Sequence, residues 1–576
     1  MKKLVKYLKG YTKETIFGPL FKLFEATLEL IVPLIIAAVI DNGISSGDKP
    51  YIVKMCLLLV LLGALGLAFS ITAQFFAAKA SVGFICRVRA ALFSHLQKLS
   101  YSDVDKLGTS TMITRMTADS AKVQTGVNLA LRLLLRSPFV VFGAMIMAFT
   151  IDTKSALTFA VVIPALSVVV YGIMFITVPM HKRVQGGTDK VLLKTRENLS
   201  GARVIRAFGK EEAETAAFAE ENDRLTKVQK RVGYFSSLLN PLTYILINFA
   251  VLVLIYIGAI EVNVGNLTQG EVVALYNYMS QILVELVKLA NLIVTIAKGT
   301  ASAVRISAVL DIKPSDTCGK INECGNSEYA VEFIGASMRY SGASENSLDG
   351  IDFKVRCGEI IGIIGGTGSG KSSLVNMIGG FYRANRGEVR LFGRDVSDYS
   401  EDFITDTVGV VPQKAVLFKG TIRDNMKIGR ADATDEEILS AVKTAQAENV
   451  IADKGGLDGI IEQDGKNLSG GQRQRLTIAR ALVKKPQVLI LDDSASALDF
   501  ATDAALRRAI REDVKGATVF IVSQRTSSIM HADKIVVLDE GHAVGIGTHA
   551  ELLSTCEVYR EIYDSQFKKE AVRSEN

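Results

Sequence analysis

The sequence predicts two folds in series: an all-α membrane domain of six long helices over residues 1–310, and an α/β domain over residues 329–576, joined by a linker at 311–328. Three observations predict it. Six apolar runs, near residues 16–40, 53–78, 130–151, 155–179, 241–260 and 272–298, each have the length that crosses a hydrocarbon core of roughly 30 Å. After residue 329 the composition becomes mixed and soluble in character, opening on a strand-rich stretch. Within it, Glu359 to Val375 reads as a buried strand, a glycine-rich loop and a helix.

The bulk numbers exclude some classes. A net charge of +6 is small for 576 residues and gives no case for a nucleic-acid partner. Cys56, Cys86, Cys318, Cys324, Cys357 and Cys556 are scattered and form no metal-spaced set, which suits a reducing compartment for the soluble half.

In chain order, Met1 to Glu14 is basic and faintly amphipathic, with no cleavage-type pattern behind it, and is expected to stay as a helix at the membrane surface. Only Asp152, Thr153 and Lys154 separate the third and fourth spans, so a tight hairpin is expected there. The loops between spans two and three and between four and five are rich in Lys and Arg, whereas the opposite side holds only Lys49 and Lys154. The positive-inside rule therefore puts both long loops and both termini in the cytoplasm. Those loops read as helical, with breaks at Gly108–Ser110 and Ser200–Gly201 that suit short docking helices. In the first span Lys22, Glu25 and Glu29 fall on one helical face. Charges at that depth need a partner or a water-filled cavity. Lys22 is placed to pair with Glu25, which leaves Glu29 as the more available carboxylate. Glu25 and Glu29 either line a pathway for amphipathic, cationic small molecules, or Glu29 pairs with Arg132 or Arg136 and is structural. Pro314, Gly319 and Gly325 mark the linker.

The chemistry lies beyond it. Gly365 to Ser372, GGTGSGKS, fits G-x-x-x-x-G-K-[ST] with a strand before it and a helix after it. The backbone N–H groups of Gly365, Gly366, Thr367, Gly368, Ser369 and Gly370 can converge on phosphates, and the following helix N-terminus adds partial positive charge. Lys371 supplies a point charge for the outer phosphates, and the Ser372 hydroxyl is a Mg²⁺ ligand type. Gln413 follows an apolar strand and brings an amide towards the same ion or a bound water. Leu468 to Gln472, LSGGQ, stands before a helix, so Ser469, Gly470, Gly471 and Gln472 form a second anion site. Val488 to Asp492 is an apolar strand ending on a carboxylate that can order Mg²⁺, and Ser496-Ala-Leu-Asp499 follows.

In this order the motifs resemble the ATP-binding cassette (ABC) exporters, and the resemblance covers essentially the whole chain. It implies a half-transporter that binds ATP and Mg²⁺ in the lipid bilayer. It implies that Tyr340 stacks on adenine, that Gly365 to Ser373 form the phosphate loop, that Gln413 is the Q-loop residue and that Asp492 is the Walker B aspartate. Ser469 to Gln472 become the signature, which completes the ATP site of a second half-transporter, and Asp499 ends a loop contacting that partner.

Two positions depart from the family pattern. Asp493 stands where the family has a catalytic glutamate, and Gln524 where it has the switch histidine. Asp493 keeps the carboxylate but is one methylene short of its water, and Gln524 cannot take up a proton. The signature is intact. The chain thus resembles the degenerate-site subunit of bacterial heterodimeric multidrug exporters. That implies a partner carrying the missing glutamate and histidine, and a place in the bacterial cell membrane. The rival readings are a homodimeric lipid or peptide exporter with slow ATPase activity, and an ATP-gated channel or sensor.

Overall fold

In the computed structural model the described residues are 4–313 and 319–574, with side chains to residue 567; Pro314 and Cys318 lie outside them. The chain divides into two compact units. One comprises Met1–Gln97 and Ser110–Ile312, the other Lys98–Thr109 and Lys313–Asn576.

The first unit is helical. Among the described residues six helices are long and apolar enough to cross a membrane: Val5–Ile44, Lys49–Leu96, Thr109–Ile151, Thr153–Ser200, Glu211–Val264 and Gln269–Leu310. They far outrun the apolar stretches, since 48 residues at 1.5 Å each make about 72 Å, over twice a hydrocarbon core. Polar caps set their ends. Asp152 alone separates Arg136–Ile151 from Thr153–Ser200, and its carboxylate accepts from the Ser155 N–H at 2.7 Å. Thr268 and Glu271 form a capping box at the start of the last span. The Asp41 carboxylate, at the end of the first span, accepts from the Gly270 N–H at 2.8 Å and the Thr268 hydroxyl at 2.6 Å.

Lys22, Glu25 and Glu29 of the first span all have partners. Lys22 donates to Glu25 at 2.5 Å and to the Ser70 hydroxyl at 3.2 Å. Arg136 bridges Glu29 at 2.5 Å and Glu285 at 2.6 Å, and Glu285 also accepts from Ser137 and Lys288 at 2.9 Å each. Glu29 is therefore not a lone carboxylate, and the expectation that it stays available is corrected. A guanidinium presents donors on two edges, so one arginine can hold a carboxylate from each of two helices. The Glu29 side chain remains 41% exposed, whereas that of Glu285 is 4% exposed. Glu25, Leu28, Glu29, Leu59, Gly63 and Arg136 border a cavity of about 470 Å³.

The second unit is α/β. Its first six strands are β1 (Tyr329–Met338), β2 (Leu348–Arg356), β3 (Ile360–Gly365), β4 (Arg386–Leu391), β5 (Arg394–Asp395) and β6 (Val408–Val411). The rest are β7 (Gly420–Thr421), β8 (Ile460–Ile461), β9 (Val488–Asp492), β10 (Thr518–Val522), β11 (Lys534–Asp539) and β12 (His542–Gly547). The main sheet runs β12-β11-β3-β10-β9-β6, parallel except for β12. β3 and β9 are apolar and buried on both faces, as parallel strands between helices must be. A second sheet, β2-β1-β4-β5, packs into one core with Leu374, Val375 and Ile378 of the helix Lys371–Ile378. A separate helical core gathers Leu468, Leu476, Ile478 and Leu506 with β9 residues Leu489 and Leu491.

Candidate nucleotide site

Four parallel strands end side by side, and each delivers one predicted group. β3 leads into the phosphate loop, β10 to Gln524, β9 to Asp492 and Asp493, and β6 to Gln413. Ligand sites in open parallel sheets form at these carboxyl ends because loops diverge there.

The phosphate loop needs its glycines. Gly370 has φ +98°, and a Cβ there would lie 2.6 Å from the Ser347 carbonyl oxygen. Gly366, Thr367 and Gly368 are exposed, Gly365 and Ser369 are buried, and the helix Lys371–Ile378 begins directly after the loop. Lys371 donates to the carbonyls of Gly365 at 2.9 Å and Gly366 at 2.5 Å. Burial pushes its ammonium below the usual lysine range, against the pull of Asp493 and Asp492. Ser372 donates to Asp492 Oδ1 at 3.2 Å. A hydroxyl and a carboxylate that close, with phosphates and water supplying further oxygens, suit a hard octahedral cation. The residues present therefore fit Mg²⁺.

Burial raises the carboxyl of Asp492, partly offset by Ser372 and Lys371. It also raises Asp493, offset by a hydrogen bond from Gln413 and by the charges of Lys371 and Arg525. So Gln413 meets Asp493, the residue after Asp492, rather than standing apart from it. Asp493 sits at φ +45°, a left-handed conformation that Asp tolerates better than most residues. Arg525 lies over the Phe500 ring at 4.9 Å.

Tyr340 is half-buried; its hydroxyl lies 3.0 Å from the Ser373 hydroxyl and its ring 5.0 Å, edge-on, from Tyr382. Tyr382 donates to Asp105 at 2.5 Å, and Tyr101 lies 4.5 Å from Phe381. Asp105 and Tyr101 belong to the short helix Tyr101–Leu107, at one of the two breaks expected to carry docking helices; Ala202–Ala207 occupies the other. Tyr340, Tyr382, Ser102 and Lys106 border a cavity of about 610 Å³. Sequence reasoning missed Tyr382 and Asp105; the only signal was the aromatic pair Phe381-Tyr382 just past the phosphate-loop helix.

The signature belongs to the helical core. Ser469 caps the helix Gly470–Val483, accepting from the Gln472 N–H at 3.2 Å, while its own N–H donates to Gln472 Oε1 at 2.9 Å. Ser469 and Gly470 are exposed, and Gly471 and Gln472 half-buried. A Cβ on Gly471 would lie 3.1 Å from the Ala497 carbonyl oxygen, so this glycine lets the loop ending at Asp499 approach the signature. Asp499 itself caps the helix Phe500–Asp513 through the Thr502 N–H at 2.8 Å.

Comparison with known proteins agrees with this geometry. The ABC transporter transmembrane region family matches residues 15–286, and the ABC transporter family matches residues 348–496. An uncharacterized ABC transporter ATP-binding protein, YfiB of Bacillus subtilis, is 33% identical over 578 residues, covering 100% of both chains. An ATP-dependent lipid A-core flippase of Desulfotalea psychrophila is 32% identical over 482 residues, covering 83% of this chain and 84% of its own. The fold is similar to the structure of a bacterial Atm1-family ABC exporter with ATP bound, at a TM-score of 0.80 and 22% identity over 96% of this chain and 98% of that one. Joining six candidate spans to one such ATPase domain, the chain belongs to the ABC transporters and is an exporter half-transporter, an ATPase-coupled membrane transporter.

Proposed function

We propose that this chain is the degenerate-site half of a heterodimeric exporter of amphipathic small molecules in a bacterial cell membrane. The single observation that carries the reading is the pair Asp493 and Gln524, at the carboxyl ends of the neighbouring strands β9 and β10. These are the two positions that act on the attacking water: Asp493 keeps a carboxylate one methylene short of it, and Gln524 cannot take up a proton. Everything needed to hold nucleotide is kept. The proposed site takes the base on Tyr340, the phosphates on Gly365 to Ser373 and Lys371, and the metal on Ser372, Asp492 and Gln413. Bound there, Mg²⁺ neutralises charge on the phosphates. Ser469 to Gln472, exposed or half-buried on their own helix, complete the partner's site, with Asp499 in the contacting loop.

The domain limits fit the same scheme: a membrane half at 1–310, a linker at 311–328 and a cytoplasmic ATPase half at 329–576, oriented by the basic loops. Glu25 and Glu29 border the cavity on the first span, and we place them on the substrate pathway. Because both carboxylates are paired, the wall they form is nearly neutral, which suits amphipathic molecules better than strongly charged ones.

The test uses the pair formed with a half-transporter that carries the glutamate and the histidine. Asp493→Asn is expected to lower ATPase activity by less than about twofold, and Ser469→Arg to remove most of it, since one alters a slow site and the other a fast one. Equal losses overturn the asymmetric reading. A second reading, a homodimeric lipid exporter, is favoured by the flippase relative. It requires the purified chain alone to hydrolyse ATP on lipid addition.

A further inference from the structure

The switch loop Ser523–Arg525 is gripped from a direction the sequence motifs do not reveal. Gln566, in the helix Glu557–Ser574, donates from Nε2 to the Gln524 carbonyl at 2.7 Å and accepts on Oε1 from the Thr526 N–H at 2.8 Å. One side-chain amide thus brackets the two peptide groups on either side of Arg525. Glutamine is the fitting residue: its amide donates and accepts at once, whereas glutamate only accepts and asparagine is one methylene shorter.

The helix that carries Gln566 is firmly seated. Tyr559 is fully buried, with its hydroxyl 2.7 Å from His549 Nδ1, and Ile562 packs on a core that includes Ile364 of β3 and Ile529 just past the switch. Positions 559, 562, 563 and 566 recur at helical spacing, so Gln566 is the polar end of the buried face. On its other side the loop is fixed to β3, because the Ser523 N–H donates to the Ile363 carbonyl at 3.0 Å. The two grips hold Gln524 and Arg525 beside β9, where the Arg525 charge acts on Asp493.

We infer that Gln566 is a positioning residue for hydrolysis, a clip that fixes the switch loop from the C-terminal helix. It acts through the Gln524 and Thr526 backbone. The inference rests on the reading of Gln524 as the switch residue.

The test uses the full-length assembled transporter and Gln566→Leu, which keeps the bulk and loses both bonds. Amide hydrogen exchange in peptides covering residues 522–530 is expected to speed up by about tenfold with the unfolding temperature unchanged. The kcat of this chain's own site, read in an assembly whose partner lacks its catalytic glutamate, is expected to fall by about tenfold with KM for ATP within about twofold, the scale of a small misplacement near the reacting atoms. Gln566→Glu is expected to resemble the Leu variant, because a carboxylate opposite the Gln524 carbonyl cannot donate. Unchanged exchange, a kcat held by Gln566→Leu, or a parallel loss of kcat, KM and unfolding temperature overturns the clip. The same variant is placed on Asp493→Glu/Gln524→His. If that double change is no faster than the natural chain, the slow-site reading falls. Exchange and kcat in the natural background still decide the clip.

Discussion

Asp493 gathers more constraints than any other residue of the site: a left-handed backbone, burial, an amide from Gln413 and two nearby cations. Replacing it with glutamate lengthens its reach but places a longer chain at φ +45°, a strain of about 1 kcal/mol. The double change Asp493→Glu/Gln524→His is still expected to raise turnover at this site by roughly tenfold or more, read as single-turnover release of phosphate, since positioned general bases contribute on that scale. Acid sensitivity follows from Asp492, whose carboxyl burial raises. A raised value means protonation sets in at higher pH than for a free carboxylate, so the proposed metal ligand is lost earlier on acidification. Mg-ATP affinity is therefore expected to fall on acidification beginning above the ordinary carboxylate range, and Asp492→Asn to flatten that dependence in a titration with a fluorescent nucleotide.

Among the elements, the ion bridge of the membrane unit separates structural from pathway roles. Glu285 is nearly inaccessible and shares Arg136 with Glu29, while Ser137 and Lys288 hold it from other directions. Glu285→Ala leaves a buried guanidinium half-paired and is expected to cost about 3–5 kcal/mol, seen as loss of folded protein and a lower unfolding temperature in detergent. Glu29→Gln is expected to cost much less, because Glu29 is partly exposed and Arg136 keeps Glu285. If Glu29 serves the pathway, this variant shifts transport of a cationic dye relative to a neutral one. The sequence made the spans and motifs legible, because apolar length and local glycine chemistry are properties of consecutive residues. Arg136 to Glu285, Asp105 to Tyr382 and Gln524 to Gln566 are pairs 149, 277 and 42 residues apart. Nothing local marks them, so the sequence left Glu29 between an available carboxylate and a pair with Arg132 or Arg136, and gave Gln566 no partner.

For the whole molecule, the decisive quantity is how activity depends on assembly. A chain with an intact signature and a weakened catalytic pair is expected to hydrolyse ATP slowly alone, and at least about tenfold faster with a partner that supplies the glutamate and histidine, as a titration of partner against ATPase rate will show. Another dependence is built into the ATPase unit. The helix Tyr101–Leu107, whose chain neighbours on both sides are spans, reaches Tyr340 through Asp105 and Tyr382, and Tyr340 in turn reaches Ser373 of the phosphate loop. Linkage through such a chain runs in both directions. With the base on Tyr340 as proposed, whatever free energy it contributes to ordering that residue, an ordered Asp105–Tyr382 contact must contribute equally to holding the base. Tyr382→Phe, which deletes one hydroxyl, is then expected to weaken ATP binding and, to the same factor, the nucleotide's protection of residues 98–109 from proteolysis. On that proposal the Tyr340 pocket and the segment between two spans behave as the two arms of one balance, and loading either arm is felt at the other.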